Sequence, residues 1–377
     1  MSKLLQSYLR FWAVKYLNRT HPKIVAVTGS VGKTSTKEAI FEVLCVKFGE
    51  KVRKSEGNLN NQTGLPLAIL NYKSAPSYGQ NAWKWFSILF SVPFRSFTLK
   101  PVEILVLEYA ADKPGDIKYL TNVARPDVAI LTAIGPAHLT AFGTIEKIVE
   151  EKTNLLRALS IDGWAILNLD NELVRKSSYG GRWQKKTYAI GQEADVQAVD
   201  IKNQIKNFEP TTTFQVKYNG QKIQGSQKTL GNAFVLASLA AIAVGEIFKL
   251  NNQEIVKGIA NIKLQKHRMN VFEGKEKTVI LDDSYNANPV SMQAALDVLK
   301  SLPHAPAGAR KIAVLGEMRE IGKISVEAHK NIGQSAKEIA DLTIGIGQLA
   351  KNYQAFGQSL GHYLQADIMG CVKELKK

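Results

Sequence analysis

Seven short apolar runs, rich in β-branched residues, are strung along the chain at 24–28, 104–108, 128–134, 164–168, 279–283, 312–316 and 342–346. Stretches with helical spacing lie between most of them. Apolar runs without alternation are buried on both faces, as strands are in a parallel sheet covered by helices. The pattern predicts a layered α/β fold. One region breaks it. Between residues 185 and 230 the chain turns polar and alternates, as in TFQVKYNGQKIQG, and Asn219-Gly220 suits a tight hairpin turn. A small antiparallel β insert is expected there. A helix of small residues, AFVLASLAAIAVGEIF, follows, and after Lys263 a new strand–helix alternation begins. The expected division is an N-terminal helix over 1–21, a central domain over 22–264 and a C-terminal domain over 265–377.

The bulk numbers narrow the class. A chain of 377 residues with 45% hydrophobic content can bury a large core, so global disorder is excluded. Its formal charge of +16 suits nucleic acid, an anionic membrane surface or a highly anionic substrate, and charge alone does not choose among them. Cys45 and Cys371 lie far apart in sequence, which gives neither a disulfide framework nor a metal cluster and points to a reducing cytoplasm. At the N-terminus Arg10 and Lys15 interrupt the apolar runs, excluding a signal peptide and a spanning helix. Leu4, Leu5, Tyr8, Leu9, Trp12 and Tyr16 recur at helical spacing, as in a helix packed on the first domain or lying on a membrane. Residues 82–97 are apolar but too few to span a bilayer.

The residues that carry chemistry sit where these strands end. In VAVTGSVGKTSTKEAI an apolar strand runs into Gly29, Ser30, Val31, Gly32, Lys33, Thr34 and Ser35, and a helix opens there. Free N–H groups and the helix dipole favour phosphate at such a start. Lys33 can reach outer phosphates and the Thr34 hydroxyl can ligate magnesium. The loop is shorter than the usual phosphate-loop spacing. No Asn-Lys-x-Asp element follows, so guanine selection has no support. EILVLEYAAD ends a strand in Glu108, and AIGPAHLTAFG places His138 just beyond another. Ligands collect at strand C-termini in parallel sheets. In TIEKIVEEKTNLLRAL, Lys152 falls on the apolar stripe of Ile145, Ile148, Val149, Leu156 and Leu159. Such a lysine usually snorkels; buried with a lowered pKa, it can instead react with CO2 to form a carbamate. In the second half, VILDDSYNANPVSM carries Asp283, Asn286 and Asn288 in a polar turn, and Arg268 lies just upstream to balance transition-state charge.

Together TGSVGKTSTKE, GNLNNQTGLPLAIL, LEYAADKPGDI, AIGPAHLTAFGTIEKIVEEK, DDSYNANPVSM and VLGEMREIGKISVEAHKNIG resemble the Mur ligase family, in family order from residue 25 to about 333. DDSYNANP and GNLNN resemble the branch that joins D-alanyl-D-alanine to a UDP-N-acetylmuramoyl-tripeptide. The resemblance implies a central ATPase domain of mostly parallel sheet, then a Rossmann-like C-terminal domain. It implies ATP and magnesium as cofactors, those two substrates as partners, no nucleic acid, and a monomer in the cytoplasm; peripheral contact with a membrane rests only on the pattern of the N-terminal helix, as the alternative to packing on the first domain. It gives the loop from Gly29 to Ser35 to ATP, with Arg268, Asp283, Asn286 and Asn288 arriving from the C-terminal domain. Lys33, His138 and Lys152 would be catalytic. Thr34, Glu108, His138 and carbamylated Lys152 would hold metal, and Asn60, Asn61 and Thr63 would lie near the muramoyl substrate.

This chain departs from the family pattern in four places. Few residues precede the phosphate loop, so the uridine-binding first domain is expected to be absent. Nucleotide recognition would then be reduced or taken over by the N-terminal helix and residues 82–97. GNAF at 231–234 replaces Gly-x-His-Asn, which puts the adenine contact in doubt. Gln62-Thr63 replaces an acid and an apolar residue, and the chain ends at Lys377, ahead of the family's last strands. These departures keep open a related ligase with another acceptor, or a nucleotide-binding scaffold without activity.

Overall fold

The computed structural model describes residues 3–76, 82–177, 180–263, 265–303, 309–356 and 360–363. Cys371 lies outside them. Nine strands form the main sheet: β1 (Lys23–Thr28), β2 (Val52–Lys54), β3 (Ile104–Glu108), β4 (Val128–Leu131), β5 (Trp164–Asn168), β6 (Gln184–Ala189), β7 (Val196–Lys206), β8 (Glu209–Tyr218) and β9 (Gln221–Gln227). Their spatial order is β2-β3-β1-β4-β5-β6-β7-β8-β9. Pairing is parallel from β2 through β7 and antiparallel from β7 through β9. The expected antiparallel insert therefore exists, but it is the continuation of the main sheet's edge. Its first strand, β6, still pairs parallel with β5.

Among the described residues ten α-helices belong to this half: α1 (Lys3–Thr20), α2 (Lys33–Phe48), α3 (Gly64–Ile69), α4 (Ala82–Thr98), α5 (Asp116–Val123), α6 (Leu139–Phe142), α7 (Ile145–Arg157), α8 (Glu172–Lys176), α9 (Asn232–Ile247) and α10 (Asn252–Ala260). Strand β1 shows why both faces must be covered. Ile24 and Ala26 join the core under α1, α3, α5 and α7, while Val25 and Val27 join the core under α2, α9 and α10. Its neighbours β3 and β4 lie on opposite sides; the chain leaves β1 through α2 toward β2 on one side, and leaves β3 through α5 toward β4 on the other. That is the switch point at which a crevice opens beyond the strand C-termini.

The remainder comprises β10 (Asn270–Glu273), β11 (Val279–Asp282), α11 (Pro289–Ser301), β12 (Ile312–Gly316), α12 (Ser325–Ile339), β13 (Leu342–Ile346) and β14 (Leu360–Tyr363). Strands β12, β13 and β14 pair in parallel over a core that includes Met292, Leu296, Leu315, Met318 and Ile332. Two expectations need correction here. The run at 279–283 is half of an antiparallel hairpin with β10, and Val279 and Ile280 are exposed. The run at 128–134 is strand only to Leu131. Thr132 turns its hydroxyl to Val31 O at 2.6 Å, and Ala133 O accepts from Ser30 N at 2.6 Å, so both residues serve the phosphate loop.

Candidate active site

The loop between β1 and α2 is fixed by close packing. A Cβ on Gly29 would lie 2.0 Å from Thr132 Oγ1, so no larger residue fits. Gly32 holds φ of 83° at the start of α2, a left-handed conformation that glycine adopts without strain. Ser30 Oγ donates to Gly135 O at 2.9 Å and accepts from Gly135 N at 3.0 Å. The Lys33 ammonium folds over the loop, donating to Gly29 O at 2.9 Å and Ser30 O at 3.2 Å. Burial lowers its pKa; Glu108 opposes that shift and Arg268 adds to it.

Beside the loop, Thr34 Oγ1 donates to Glu108 Oε2 at 3.0 Å, and Asn60 Nδ2 donates to Glu108 Oε1 at 2.9 Å. Glu108 closes β3 and is buried. Lys37, one turn further along α2, is fully buried and lies 3.9 Å from Glu108 and 3.3 Å from Glu38. It donates to Ser55 O at 2.7 Å, and Lys54 pairs with the far oxygen of Glu38. Sequence reading passed over Lys37 and Glu38, which look like ordinary charges of a helix surface. The three-to-four-residue step from Lys33 and Thr34 was the available signal.

Lys152 lies on the buried face of α7, as the stripe predicted. Its pKa falls to about 7, first through burial and then through Lys33, against Glu151, Asp112 and Asp116. Those acids are already engaged. Glu151 accepts from Gly115 N at 2.8 Å and Ile117 N at 2.6 Å. Asp116 accepts from Gln62 Nε2 at 2.8 Å and from the amides of Asp112 and Lys113. Gln62, one of the departures noted above, thus joins this acidic group directly. His138 sits at φ of 55°, with Nδ1 2.7 Å from Glu320 Oε2 and Nε2 3.8 Å from Asp112 Oδ1. Neither acid was foreseen. Among the described residues no three His, Cys, Asp or Glu side chains converge into a metal-binding group.

The remaining candidates divide. Arg268 lies over the Tyr285 ring at 4.1 Å, and the Tyr285 hydroxyl reaches back to Asn58 Oδ1 at 3.0 Å. Asp283 accepts from Met269 N at 3.1 Å, and burial raises its pKa to about 6 against the pull of Arg268. Asn288 caps α11, accepting from Ser291 N at 3.0 Å in a reciprocal capping box. Asn286 accepts from Ala287 N at 2.9 Å. Asn61 Oδ1 holds the amides of Thr63 and Gly64 at the start of α3, and Thr63 is buried. The side-chain oxygens of Asn61, Asn286 and Asn288 thus shape the loops that carry them.

Two family models match, the Mur ligase middle domain over residues 87–245 and the Mur ligase glutamate ligase domain over 267–373. The chain belongs to the Mur ligase family. It is 31% identical over 326 residues to the UDP-N-acetylmuramoyl-tripeptide–D-alanyl-D-alanine ligase of Bacillus subtilis, covering 85% of this chain and 62% of that protein. It thus spans somewhat less than two thirds of that relative's length. MurF from Acinetobacter baumannii superposes with a TM-score of 0.80 at 26% identity, over 97% of this chain and 73% of the other. MurF ligase from Thermotoga maritima, solved in complex with ADP, gives a TM-score of 0.80 at 27% identity, over 98% and 77%. The Mur ligase fold of mostly parallel sheet with a following α/β unit is the one expected from sequence.

Proposed function

We propose that this Mur ligase is an ATP-dependent carboxylate–amine ligase that joins D-alanyl-D-alanine to a UDP-N-acetylmuramoyl-tripeptide. One observation carries the reading. A fully buried amine, Lys152, has its pKa lowered to about 7, first by burial and then by the charge of the phosphate-loop lysine, Lys33. A neutral amine there can attack CO2, form an N–C bond and release a proton, leaving a carbamate anion that offsets the charge of Lys33.

The chemistry follows from charge. The tripeptide carboxylate attacks the γ-phosphorus of ATP, the bond to the ADP oxygen breaks, and an acyl phosphate forms. The dipeptide amine then adds to the acyl carbon, and phosphate leaves as the amine gives up its proton. Both steps concentrate negative charge, which the Lys33 ammonium and the Arg268 guanidinium stabilise by position. The Thr34 hydroxyl and the Glu108 carboxylate, hard oxygen donors 3.0 Å apart, suit a magnesium ion. Bound there, magnesium would supply further charge to the phosphates. Lys37, 3.9 Å from Glu108 and 3.3 Å from Glu38, holds the two carboxylates in register. His138, between Asp112 and Glu320, would serve at a second cation or orient the carboxylates.

ADP release measured with each substrate alone and with both tests the reading. The expected result is release that requires the muramoyl-tripeptide nucleotide and D-alanyl-D-alanine together. Release stimulated by the nucleotide and by another amine, but not by D-alanyl-D-alanine, would reassign the acceptor.

A further inference from the structure

Helices α1 and α4 leave a broad aromatic face uncovered. Along α4, Ile88, Val92 and Ser96 recur every fourth residue and are buried. On the opposite side Trp83, Phe86, Phe90, Phe94 and Phe97 form a second stripe at helical spacing, with Trp83 and Phe90 each 81% exposed. Leu4, Tyr8 and Phe11 of α1 extend it. The two helices form a fixed platform. The Tyr8 hydroxyl donates to Leu89 O at 2.9 Å, and Arg19 donates to Ser96 O at 3.2 Å and Leu99 O at 2.8 Å. The rings of Trp12 and Phe97 meet edge-on at 5.9 Å.

The two helices carry charge of one sign. Neither helix contains an Asp or Glu, while Lys3, Arg10, Lys15 and Lys84 are exposed on them and Lys100 just beyond. Lys15 lies over the Phe97 ring at 4.7 Å. At the C-terminal end of α4 a cavity of about 700 Å³ is lined by Lys51, Arg53, Arg95 and Lys100, with Glu50 as its one carboxylate. Glu103 pairs with Lys51 at its rim. This cavity opens at the N-terminal ends of β2 and β3, the end opposite Glu108, so it is not part of the ATP crevice. No described helix is long and apolar enough to cross a membrane.

We propose that this two-helix face seats the protein on the surface of an anionic lipid bilayer. The rings enter the headgroup region, and the lysines and arginines meet lipid phosphates, as amphipathic interfacial helices do. A second copy of the chain is the poorer occupant, because two carboxylate-free faces would bring their cations together. The proposal is independent of the ligase reading.

Co-sedimentation of the full chain with vesicles tests it, comparing phosphatidylglycerol–phosphatidylcholine mixtures with phosphatidylcholine alone. Binding is expected to the anionic vesicles, falling about tenfold at roughly 0.5 M salt as charges are screened. F90S/F94S is expected to lower binding at least about tenfold through lost apolar contact. Its circular dichroism and ATP turnover should match the parent chain. K84E/K100E, which leaves the rings in place, should weaken binding to anionic vesicles alone. Absence of binding, equal binding to neutral vesicles, or full binding by both variants would overturn the proposal. So would sedimentation-velocity data showing a dimer that F90S/F94S dissolves while vesicle binding is absent.

Discussion

A lysine that titrates near neutrality inside a protein carries a cost that its function must justify. The folded-state pKa of Lys152 is about 7, against an ordinary value of 10.5. Between those two values unfolding takes up a proton, so this group's contribution makes stability rise with pH. Its destabilising effect is complete below the folded value and gone above the ordinary one. Lys152→Met keeps the volume and removes the charge. It should raise unfolding free energy by a few kcal/mol near about pH 6, with the gain shrinking toward about pH 10. Thermal melts across that range measure it; a gain independent of pH would mean the lysine is not held as described. The same variant should lose at least about a hundredfold in ADP release, as expected when charge at a phosphoryl-transfer site is removed. Lys152→Ala should regain part of that activity when a short-chain carboxylic acid is added, because the acid replaces the carbamate. Full activity without added acid would discard the carbamate. This residue was legible in the sequence because burial follows helical spacing, and α7 is regular. Glu320, Asp112 and Lys37 were not legible. Their significance comes from tertiary neighbours: Glu320 lies 182 positions from His138 along the chain.

At the scale of elements, the phosphate loop depends on the turn after β4 as much as on its own glycines. Thr132 Oγ1 touches Val31 O at 2.6 Å and Thr28 O at 3.2 Å, in the space a Gly29 side chain would enter. Gly29→Ala is therefore expected to displace the loop without unfolding the sheet. Its affinity for ATP, read by equilibrium titration, should fall at least about tenfold, while circular dichroism is unchanged. An affinity within twofold of the parent would mean the loop absorbs the methyl group. Asn288→Ala removes a capping box and should cost about 1 kcal/mol of stability. Denaturant melts check that, and ATP affinity separates the cap from a direct ligand role, since only the latter predicts a large loss. Parallel strands between helices were readable because they are buried on both faces. The hairpin of β10 and β11 was misread because its apolar residues, Val279 and Ile280, look like a buried run yet stand exposed. Pattern alone does not reveal which apolar runs lack a covering layer.

Across the whole molecule, three side-chain contacts, with the Thr140 amide donating to Glu320 O at 3.3 Å beside them, tie the C-terminal unit to the ATP crevice. Gln265 Nε2 donates to Glu38 Oε1 at 3.0 Å, the Tyr285 hydroxyl donates to Asn58 Oδ1 at 3.0 Å, and Glu320 meets His138 at 2.7 Å. Gln265 and Tyr285 lie in the segments that carry Arg268 and Asp283, and Glu320 meets the candidate His138 itself, so these contacts hold the two units together at the candidate site. Tyr285→Phe isolates the closure term. The ring that supports Arg268 remains, and only the hydroxyl to Asn58 is lost. A half-exposed neutral hydrogen bond contributes about 1 kcal/mol, so kcat/KM for ATP should fall about fivefold. Tyr285→Ala also removes the support of Arg268 and should fall well beyond that. Glu320→Gln loosens a separate contact, and its effect should add to that of Tyr285→Phe if the two contacts act independently. If both instead report one closing motion, the double variant will lose less than the sum. Equal activity of the parent chain, Tyr285→Phe and Tyr285→Ala would show that this bridge plays no part in bringing Arg268 to the phosphate loop.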